Sequence, residues 1–585
     1  GLTIYGGRTI QSTGGNVSIT ARGSSGGVWV DTSATTIAAG NSLTAPTAGG
    51  DLTINTTGGS EEGIRLYGGG GLVANRDITI TGTSTSSNGV RINGTQLLRA
   101  NRNIAITGTS SVTGGWALYF EGSRLIQSVG GNIDINANGR WGMYINGGGV
   151  VAGNDTTTPS GGGTVSIRAT TSGSHADGAG LRMDNINTKI LAWDDINIYA
   201  NAASAGMTGT SGNGHGILMW GSNQVIRSYN GDLTMTGYAN RWVDSGASTV
   251  GISGGITVHN STNTLRAKGD VTLKGVSMQG IGLYLTVADG GSTTQGVRSD
   301  TGNIVMDGLN NNNSYAATYI RLPVVATAGS ISISGAGGYN GIRQDAWQGS
   351  ISAAGDISLV GYAKYVDGLS FTVGSITSTG GSVTLSGYTS SASTTDYGIY
   401  STGPAVTASN GSVIFQGAKI NATGSGSTLF VNAAANTTNG QADPIFAVAD
   451  AGNPAYGASN GISWAGAITA NTSTGYIQIN SKDPAITGNM TAYGLALLGN
   501  NQNYSLTGTG SSITALAASL GTGSLTYTNT GPLTIGAYGS ISGITAGSVT
   551  LTAAGLRGSE WAHRPPSPVS AGGRPLDAPS RWAMA

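Results

Sequence analysis

The chain contains no cysteine and little charge. Of its 585 residues, 9% are charged, and 27 basic side chains balance 27 acidic ones to a formal net charge of zero. Without cysteine, the chain can form neither a disulfide nor a thiolate metal site. A face that binds nucleic acid needs concentrated basic residues, whereas the arginines here are scattered along the sequence. We therefore expect no nucleic-acid partner.

Long apolar runs are absent as well. No segment approaches the roughly 18 consecutive apolar residues that predict a membrane-spanning helix. Hydrophobic residues nevertheless make up 38% of the chain and are regularly spaced, which argues against disorder. The opening, GLTIYGGRTIQSTGGN, has neither a Met nor a signal peptide and resembles a repeat entered midway. We expect further coils, a cap or a partner molecule to precede Gly1.

One short phrase recurs along the chain. A turn of Gly, Asn or Asp leads into a strand whose apolar residues alternate with Thr or Ser. Copies lie at 14–21, 49–56, 75–82, 101–108, 130–137, 230–237, 268–275, 354–361 and 380–387. Repetition every 26 to 38 residues is typical of a stacked-repeat architecture, in which each unit packs only on its neighbours.

Two further strands separate successive copies of this first strand. The second strand has the pattern GIRLYG, and its copies lie at 63–68, 89–94, 117–122, 142–147, 180–185 and 216–221. The third strand is shorter, and its copies lie at 8–12, 97–101, 125–129, 189–193, 224–228 and 264–268. Alternation places Ile64 and Leu66 on the buried face of the second strand and Arg65 on its outer face.

Three short strands per repeat predict an all-β fold, the right-handed parallel β-helix. Propeller blades need four strands and longer repeats, and abundant Gly and Thr without a 3.6-residue period exclude helical solenoids. Like residues should stack about 4.8 Å apart in successive coils, and parallel connections favour the right hand. We predict a regular β-helix over 1–417 and a less regular continuation over 418–553. A Pro/Arg-rich, strand-free tail, disordered or an extension, should follow over 554–585.

The repeat resembles that of a known family of secreted proteins. IQSTGGNVSITA at 10–21, ITSTGGSVTLSG at 376–387 and VTASNGSVIFQG at 406–417 look like repeats of the filamentous haemagglutinin-like large exoproteins of Gram-negative bacteria. These proteins are similar in design to autotransporter passengers. The resemblance covers most of residues 1–553. It implies a right-handed β-helix outside the cell that is secreted through a partner outer-membrane pore and acts in adhesion, biofilm or contact.

One pattern resembles a catalytic site. Polygalacturonases, which are also right-handed β-helices, carry paired aspartates and a Gly-His-Gly at a separation close to that between Asp194-Asp195 and His215. However, Asp195 occupies the turn position of the repeated phrase, and Asn187-Thr188 is followed by Lys189 where that family has aspartate. We expect Asp195 to be a turn residue, His215 to be a surface residue and the chain to have no catalytic site.

No other group of residues indicates chemistry. The four histidines are not paired at the spacing of metal ligands, and the glycine-rich runs lack the lysine of a phosphate-binding loop. We therefore expect neither a metal nor a cofactor.

The outer face of the second strand carries the candidate binding residues. Arginine and tyrosine recur there, and in stacked coils they could grip a glycan or an anionic surface through cation–π and bidentate contacts. The predicted stripe consists of Arg65, Arg91, Tyr119, Tyr144, Arg182, Arg321 and Arg343. An exposed strand face also suits Arg and Tyr without any ligand, so the simpler alternative stays open.

These features predict a structural, adhesive protein that is extracellular or lies on the bacterial cell surface. It would be a stiff β-helical rod that serves adhesion, a biofilm or a matrix. Its partners would be a glycan or protein on a host or neighbouring cell, or copies of itself in a fibre. Two alternatives stay open: a self-polymerising matrix filament subunit, and a β-helical polysaccharide-active enzyme or tailspike-like protein.

Overall fold

The structure is a computed structural model in which most of the chain is described. The described residues are 1–31, 35–111, 115–171, 179–202, 214–239, 254–260, 262–278, 280–286, 295–310, 315–345, 349–391, 396–401, 405–417, 420–422, 424–433, 461–464, 468–470, 476–481, 483–499, 501–538, 540–558 and 580–584. They form β-strands and turns, and none of them forms a helix that could cross a membrane. The chain divides into two compact units, Gly1–Gly337 and Gly338–Ala585.

The first unit contains 33 strands, most of them four, five or seven residues long. In chain order they are β1 (Leu2–Tyr5), β2 (Thr9–Ser12), β3 (Val17–Gly23), β4 (Val28–Asp31), β5 (Thr36–Ala39), β6 (Leu52–Gly58), β7 (Ile64–Gly68), β8 (Gly71–Ala74), β9 (Ile78–Ser84), β10 (Val90–Gly94), β11 (Leu97–Ala100), β12 (Ile104–Ser110), β13 (Trp116–Glu121), β14 (Leu125–Ser128), β15 (Ile133–Gly139), β16 (Trp141–Asn146), β17 (Gly149–Ala152), β18 (Val165–Thr171), β19 (Ala179–Met183), β20 (Lys189–Ala192), β21 (Ile196–Ala202), β22 (His215–Met219), β23 (Val225–Ser228), β24 (Leu233–Ala239), β25 (Gly254–Val258), β26 (Thr264–Ala267), β27 (Val271–Ser277), β28 (Ile281–Leu285), β29 (Gly296–Ser299), β30 (Ile304–Asn310), β31 (Thr318–Ile320), β32 (Val324–Ala326) and β33 (Ile331–Gly337).

Each strand of this unit pairs in parallel with the strand three places along the chain. The long strands β3, β6 and β9 pair in this way, as do β1, β4 and β7, and also β2, β5 and β8. The order repeats through the rest of the unit, so that three parallel ladders wind together. This arrangement is a parallel β-helix with three strands per coil, which confirms the predicted fold class. We call the ladders the first-, second- and third-strand sheets, after the order used for the sequence repeat.

The core consists of columns of side chains that occupy the same strand position in successive coils. Ile64 pairs with Val90, and Val90 pairs with Leu118, in the register that alternation predicts. The buried column continues through Met143, Leu181 and Ile217, and all six side chains are fully buried. Inward Ile, Val, Leu and Met therefore supply the core, at about 25 cal/mol per Å² of apolar area removed from water.

Asn and Asp side chains close the turn that precedes each first strand. Oδ1 of Asp195 accepts a 2.8 Å hydrogen bond from the backbone N–H of Asp232, one coil further on, and Asp232 accepts one of 2.7 Å from Asp270. The same bond joins Asn16 to Asp51, Asp51 to Asp77, Asp77 to Asn103, Asn103 to Asn132, Asn132 to Thr164, Asp270 to Asn303, and Asn303 to Ser330. These bonds explain why the repeated phrase has Asn or Asp at this position.

The second unit begins with the same three-strand order and then changes. Its strands are β34 (Ile342–Gln344), β35 (Ile351–Ala353), β36 (Ile357–Ala363), β37 (Leu369–Phe371), β38 (Ser375–Ser378), β39 (Val383–Thr389), β40 (Ile399–Ser401), β41 (Ala405–Gly417), β42 (Ile420–Ala422), β43 (Gly424–Ala433), β44 (Gly461–Trp464), β45 (Ile468–Ala470), β46 (Tyr476–Ser481), β47 (Asp483–Ile486), β48 (Met490–Leu498), β49 (Tyr504–Leu506), β50 (Ser512–Ser519), β51 (Ser524–Thr528), β52 (Pro532–Ile535), β53 (Ala537–Tyr538), β54 (Ile541–Ser542), β55 (Ile544–Thr545), β56 (Ser548–Ala553), β57 (Gly555–Gly558) and β58 (Ser580–Met584). At β41, the third and first strands of one coil join, since this strand pairs with both β38 and β39.

The predicted strand-free tail needs correction where it is described. The strand β57 pairs in parallel with β52, so the ladder continues past Gly555. The strand β58 pairs antiparallel with β56, which reverses the chain direction at this edge. All five prolines that suggested a tail lie within 559–579, which is outside the described residues.

Candidate binding surface

The outer face of the second-strand sheet brings most of the predicted stripe together. Backbone pairing places Arg65 beside Arg91, Arg91 beside Tyr119, Tyr119 beside Tyr144, and Tyr144 beside Arg182. These five side chains occupy consecutive coils, so they form one column in which neighbouring strands are about 4.8 Å apart. Trp29 in β4 extends the column by one coil because it pairs with Arg65. We call these six residues the outer column.

Arg65 lies between aromatic rings and has no acidic partner. Its guanidinium carbon is 5.2 Å from the centre of the Trp29 ring and 5.3 Å from that of Tyr67. Among the described residues, no carboxylate lies within ion-pair distance of Arg65. A guanidinium over indole and phenol faces is stabilised by cation–π attraction. Arg65 can therefore attract an anionic or polar group to the outer column.

Arg91 sits between two carboxylates. Its Nη1 is 3.4 Å from Oε1 of Glu62, and its Nη2 is 3.8 Å from Oε2 of Glu121. The guanidinium also lies 5.1 Å from the centre of the Tyr119 ring. These contacts hold the side chain in place, because both partners and the ring oppose its movement away from the sheet. Arg91 is thus a positioned part of the surface and offers less uncompensated charge than Arg65.

Aromatic rings fill the middle of the outer column. The rings of Tyr119 and Tyr144 stack with centroids 5.0 Å apart, and Trp116 lies 5.1 Å from Tyr144. Trp116 also lies 5.3 Å from Trp141, which pairs with it in the next coil. All four rings are partly exposed. Burial raises the pKa of the Tyr119 hydroxyl, and Glu121 raises it further. The rings therefore present a neutral, planar platform on a rigid sheet.

Arg182 ends the outer column in a bidentate ion pair. Its Nε donates to both carboxylate oxygens of Asp184 at 2.8 and 2.9 Å, and its Nη2 lies 2.8 Å from Oδ2. The Tyr144 hydroxyl donates to the same Oδ2 at 3.1 Å. Burial, reinforced by Asp184, raises the pKa of Tyr144 well above its usual value. This network fixes the orientation of the Tyr144 ring at the end of the aromatic platform.

The structure corrects the predicted position of Arg321. Tyr319 takes the outer position of its coil, because it pairs with Tyr284, and Arg321 lies two residues further on. In the coils after Arg182, the equivalent outer positions are occupied by Leu218, Thr257, Tyr284 and Tyr319. These residues include no further arginine, so the stripe is shorter than the sequence predicts.

Arg343 lies in the second unit. It is on the exposed face of β34 and pairs with Ser370. Its Nη2 lies 2.8 Å from Oδ2 of Asp345. Ser370 pairs in turn with Tyr400, whose ring lies 5.5 Å from that of Tyr397. Arg343 therefore has the predicted strand position, and its ion pair with Asp345 holds it there.

Asp195 and His215, the two residues of the catalytic hypothesis, form hydrogen bonds between neighbouring coils. Asp195 accepts the turn hydrogen bond from Asp232 N–H, as the repeat phrase predicts. His215 is not on the surface as predicted: it is the first residue of β22 and is only 5% exposed. Its Nδ1 accepts a 3.2 Å hydrogen bond from Gly254 N–H and lies 3.1 Å from the Thr257 hydroxyl. Burial, with a contribution from Arg182, lowers its pKa to about 3.

No metal-binding arrangement occurs in the described part of the chain, where no three His, Asp or Glu side chains come close enough to hold an ion.

Trp29 and Tyr67 were missing from the predicted stripe. The segment VWVD at 28–31 aligns with GIRLYG only when the pairing of β4 with β7 is known, because the 35-residue step between Val17 and Leu52 hides the repeat.

No protein-family model, curated protein or solved structure matches the chain. The outer column is therefore described from this chain alone.

Proposed function

We propose that the protein is a structural, adhesive surface protein whose parallel β-helix presents the outer column to a partner. The partner would be a glycan or a protein on a host or neighbouring cell. The fold supports this role because a ladder of coils holds paired side chains at a fixed spacing. Rigid display reduces the entropy lost on binding.

The observation that carries the proposal is the concentration of aromatic side chains in and beside the outer column. Aromatic residues make up 6% of the chain, yet Trp29, Tyr67, Trp116, Tyr119, Trp141 and Tyr144 all lie on this face of the first unit. Tyr, Trp and Arg are the residues that most often dominate binding energy at protein interfaces. A face built from them, with no carboxylate of the described residues within ion-pair distance of Arg65, is suited to hold sugar rings or an apolar, anionic protein patch.

The extracellular location is proposed on the resemblance of the repeat to secreted exoproteins. The same resemblance supports a partner outer-membrane pore for secretion. A chain without cysteine is compatible with this route, since no disulfide can form before the chain leaves the cell.

The proposal can be tested by binding to glycan arrays and to bacterial or host-cell surfaces. We expect Tyr119→Ala with Tyr144→Ala to reduce binding at least tenfold, because two platform rings are removed. The matched control is Tyr199→Ala with Tyr238→Ala, a pair of neighbouring rings 5.7 Å apart on the first-strand sheet. Equal loss in both variants, or no loss in the first, would contradict the proposal.

Electron microscopy of the purified protein separates this function from the alternative of a self-polymerising filament subunit. Dispersed particles that bind a surface favour adhesion. Fibres that form equally well with the platform variant favour assembly through another face.

A further inference from the structure

Three arginines stack in consecutive coils on the third-strand sheet. Arg227 in β23 pairs with Arg266 in β26, and Arg266 pairs with Arg298 in β29. All three are partly exposed, and like the members of any parallel ladder they are about 4.8 Å apart along the coils. Lys268, which is exposed, follows Arg266 on the same outer face. We call these four residues the basic column; it lies on a different sheet from the outer column.

The basic column is poorly neutralised. Asp300 is the only carboxylate among the described residues within ion-pair distance of these cations, and it binds Arg266. Arg227 instead lies over the Tyr229 ring, 4.1 Å from its centre. Nε of Arg298 is buried without a hydrogen-bond partner. Burial lowers the pKa of Arg298 and the charge of Arg266 lowers it further, whereas the charge of Asp300 opposes this shift.

Asp300 shows how this face binds a carboxylate. Nε of Arg266 donates to Oδ1 at 2.9 Å and to Oδ2 at 3.2 Å, and Nη2 lies 2.8 Å from Oδ1. This is the fork geometry in which a planar guanidinium matches a planar carboxylate. Arg227 and Arg298 occupy the same strand position one coil to either side and lack such a partner.

A loop bounds one end of the basic column. The Tyr229 hydroxyl donates to the Thr157 carbonyl at 2.6 Å, and Nζ of Lys189 donates to the Thr156 carbonyl at 2.5 Å. The column residue before Arg227 is Leu191, which is 3% exposed. After Arg298 the column continues with Val325, which is partly exposed. The accessible charged strip therefore starts at Arg227 and runs along the coils.

We propose that the basic column binds a chain of uronic acid residues, with carboxylates placed on Arg227 and Arg298 on either side of the Arg266–Asp300 pair. A linear polymer with regularly spaced carboxylates suits a strip that is one residue wide and repeats once per coil. Nucleic acid is less suited, because Asp232 and Asp270 lie in the turn that follows the same strands and oppose a broad polyanion.

The proposal is tested by titrating the full-length protein with alginate oligosaccharides at low ionic strength. We expect Arg227→Gln with Arg298→Gln to weaken binding at least tenfold. We expect Asp300→Asn to strengthen it several-fold, because the variant releases Arg266 from its internal carboxylate. The matched control is Arg76→Gln with Arg102→Gln, which removes the same charge from two exposed turn arginines of the first unit.

The outcomes are separable from those of the proposed adhesive function. The Tyr119→Ala, Tyr144→Ala variant should bind alginate as the wild type does. Absence of binding by the wild type, unchanged binding by the Arg227→Gln, Arg298→Gln variant, or an equal loss in the Arg76→Gln, Arg102→Gln control would overturn the proposal. Tighter binding of heparin or of a single-stranded oligonucleotide than of alginate would also overturn it, because it would assign the column to another polyanion.

Discussion

At the scale of single residues, polar side chains of the β-helix bind its own backbone. Asp195 and Asp232 accept hydrogen bonds from the next coil, and Nδ1 of His215 accepts one from Gly254 N–H. An imidazole nitrogen that accepts from an N–H carries no proton, so His215 is neutral with its proton on Nε2. The same side chain that resembled part of a catalytic site therefore links two coils.

The buried His215 should make stability depend on pH. Its folded pKa of about 3 lies below the unfolded value of about 6.5, so protonation favours the unfolded chain. The stabilising contribution is complete above pH 6.5 and is lost progressively as the pH falls toward 3. At pH 5 the loss should reach about 2 kcal/mol, and thermal unfolding followed by circular dichroism will measure it.

The control for this prediction is His215→Asn, whose Oδ1 can still accept the Gly254 N–H but cannot be protonated in this range. The variant should lose less stability than the wild type between pH 7 and pH 5. Identical pH profiles of the two proteins would show that His215 does not titrate on unfolding.

At the scale of elements, most turns into a first strand have a glycine directly before the Asn or Asp residue. A Cβ on Gly231 would lie 2.2 Å from Oδ1 of Asp195 and 2.8 Å from the Asp195 backbone nitrogen. Where arginine replaces this glycine, at Arg76 and Arg102, the side chain faces the aspartate of the preceding coil at 3.5 and 3.8 Å. At Gly231 the close approach of Asp195 thus leaves no room for a side chain, whereas the coils with Arg76 and Arg102 accommodate one.

Gly231→Ala should destabilise the first unit by about 2 kcal/mol, since the methyl group displaces the Asp195 carboxylate and overlaps backbone atoms. Gly14→Ala is the matched control, because it changes a glycine of the same phrase that has no atom within 4 Å of the added Cβ. Its effect should stay within about 0.5 kcal/mol. Equal melting temperatures for the two variants would contradict this role of the turn.

The strands could be predicted from sequence because their signal is local. Alternation with a period of two identified the buried column from Ile64 to Ile217 and the outer positions Arg65 and Arg91. The position of Arg321 could not be obtained in this way. The segment YIRL offers two outward positions, and the pairing of Tyr284 with Tyr319 decides between them. Burial of His215 was equally hidden, since it depends on Gly254 and Thr257 in another coil.

At the scale of the whole molecule, zero net charge conceals an uneven distribution of charge. The sequence shows 27 basic and 27 acidic residues without a basic cluster. Coil stacking nevertheless brings Arg227, Arg266 and Arg298 together, although they are 39 and 32 residues apart along the chain. In a β-helix, residues that are far apart in sequence thus form one surface. We expect binding specificity to depend on the outward positions at which successive coils differ.

Every column described above depends on the register of the coils, and disulfide trapping tests that register directly. The chain has no cysteine, so introduced pairs are the only thiols. Thr53→Cys with Thr79→Cys in the first unit, and Ser358→Cys with Thr384→Cys in the second, replace directly paired outward residues. Their Cα atoms should be about 5 Å apart, within reach of a disulfide.

The decisive measurement is the yield of cross-linked chain after mild oxidation. We predict high yields for both pairs and little cross-linking for Thr53→Cys with Thr81→Cys, whose Cα atoms are about 8 Å apart when the coils stack in register. Preferential cross-linking of position 53 to position 81 would show a register shifted by two residues. That result would contradict the outer column, the basic column and the functions proposed for them.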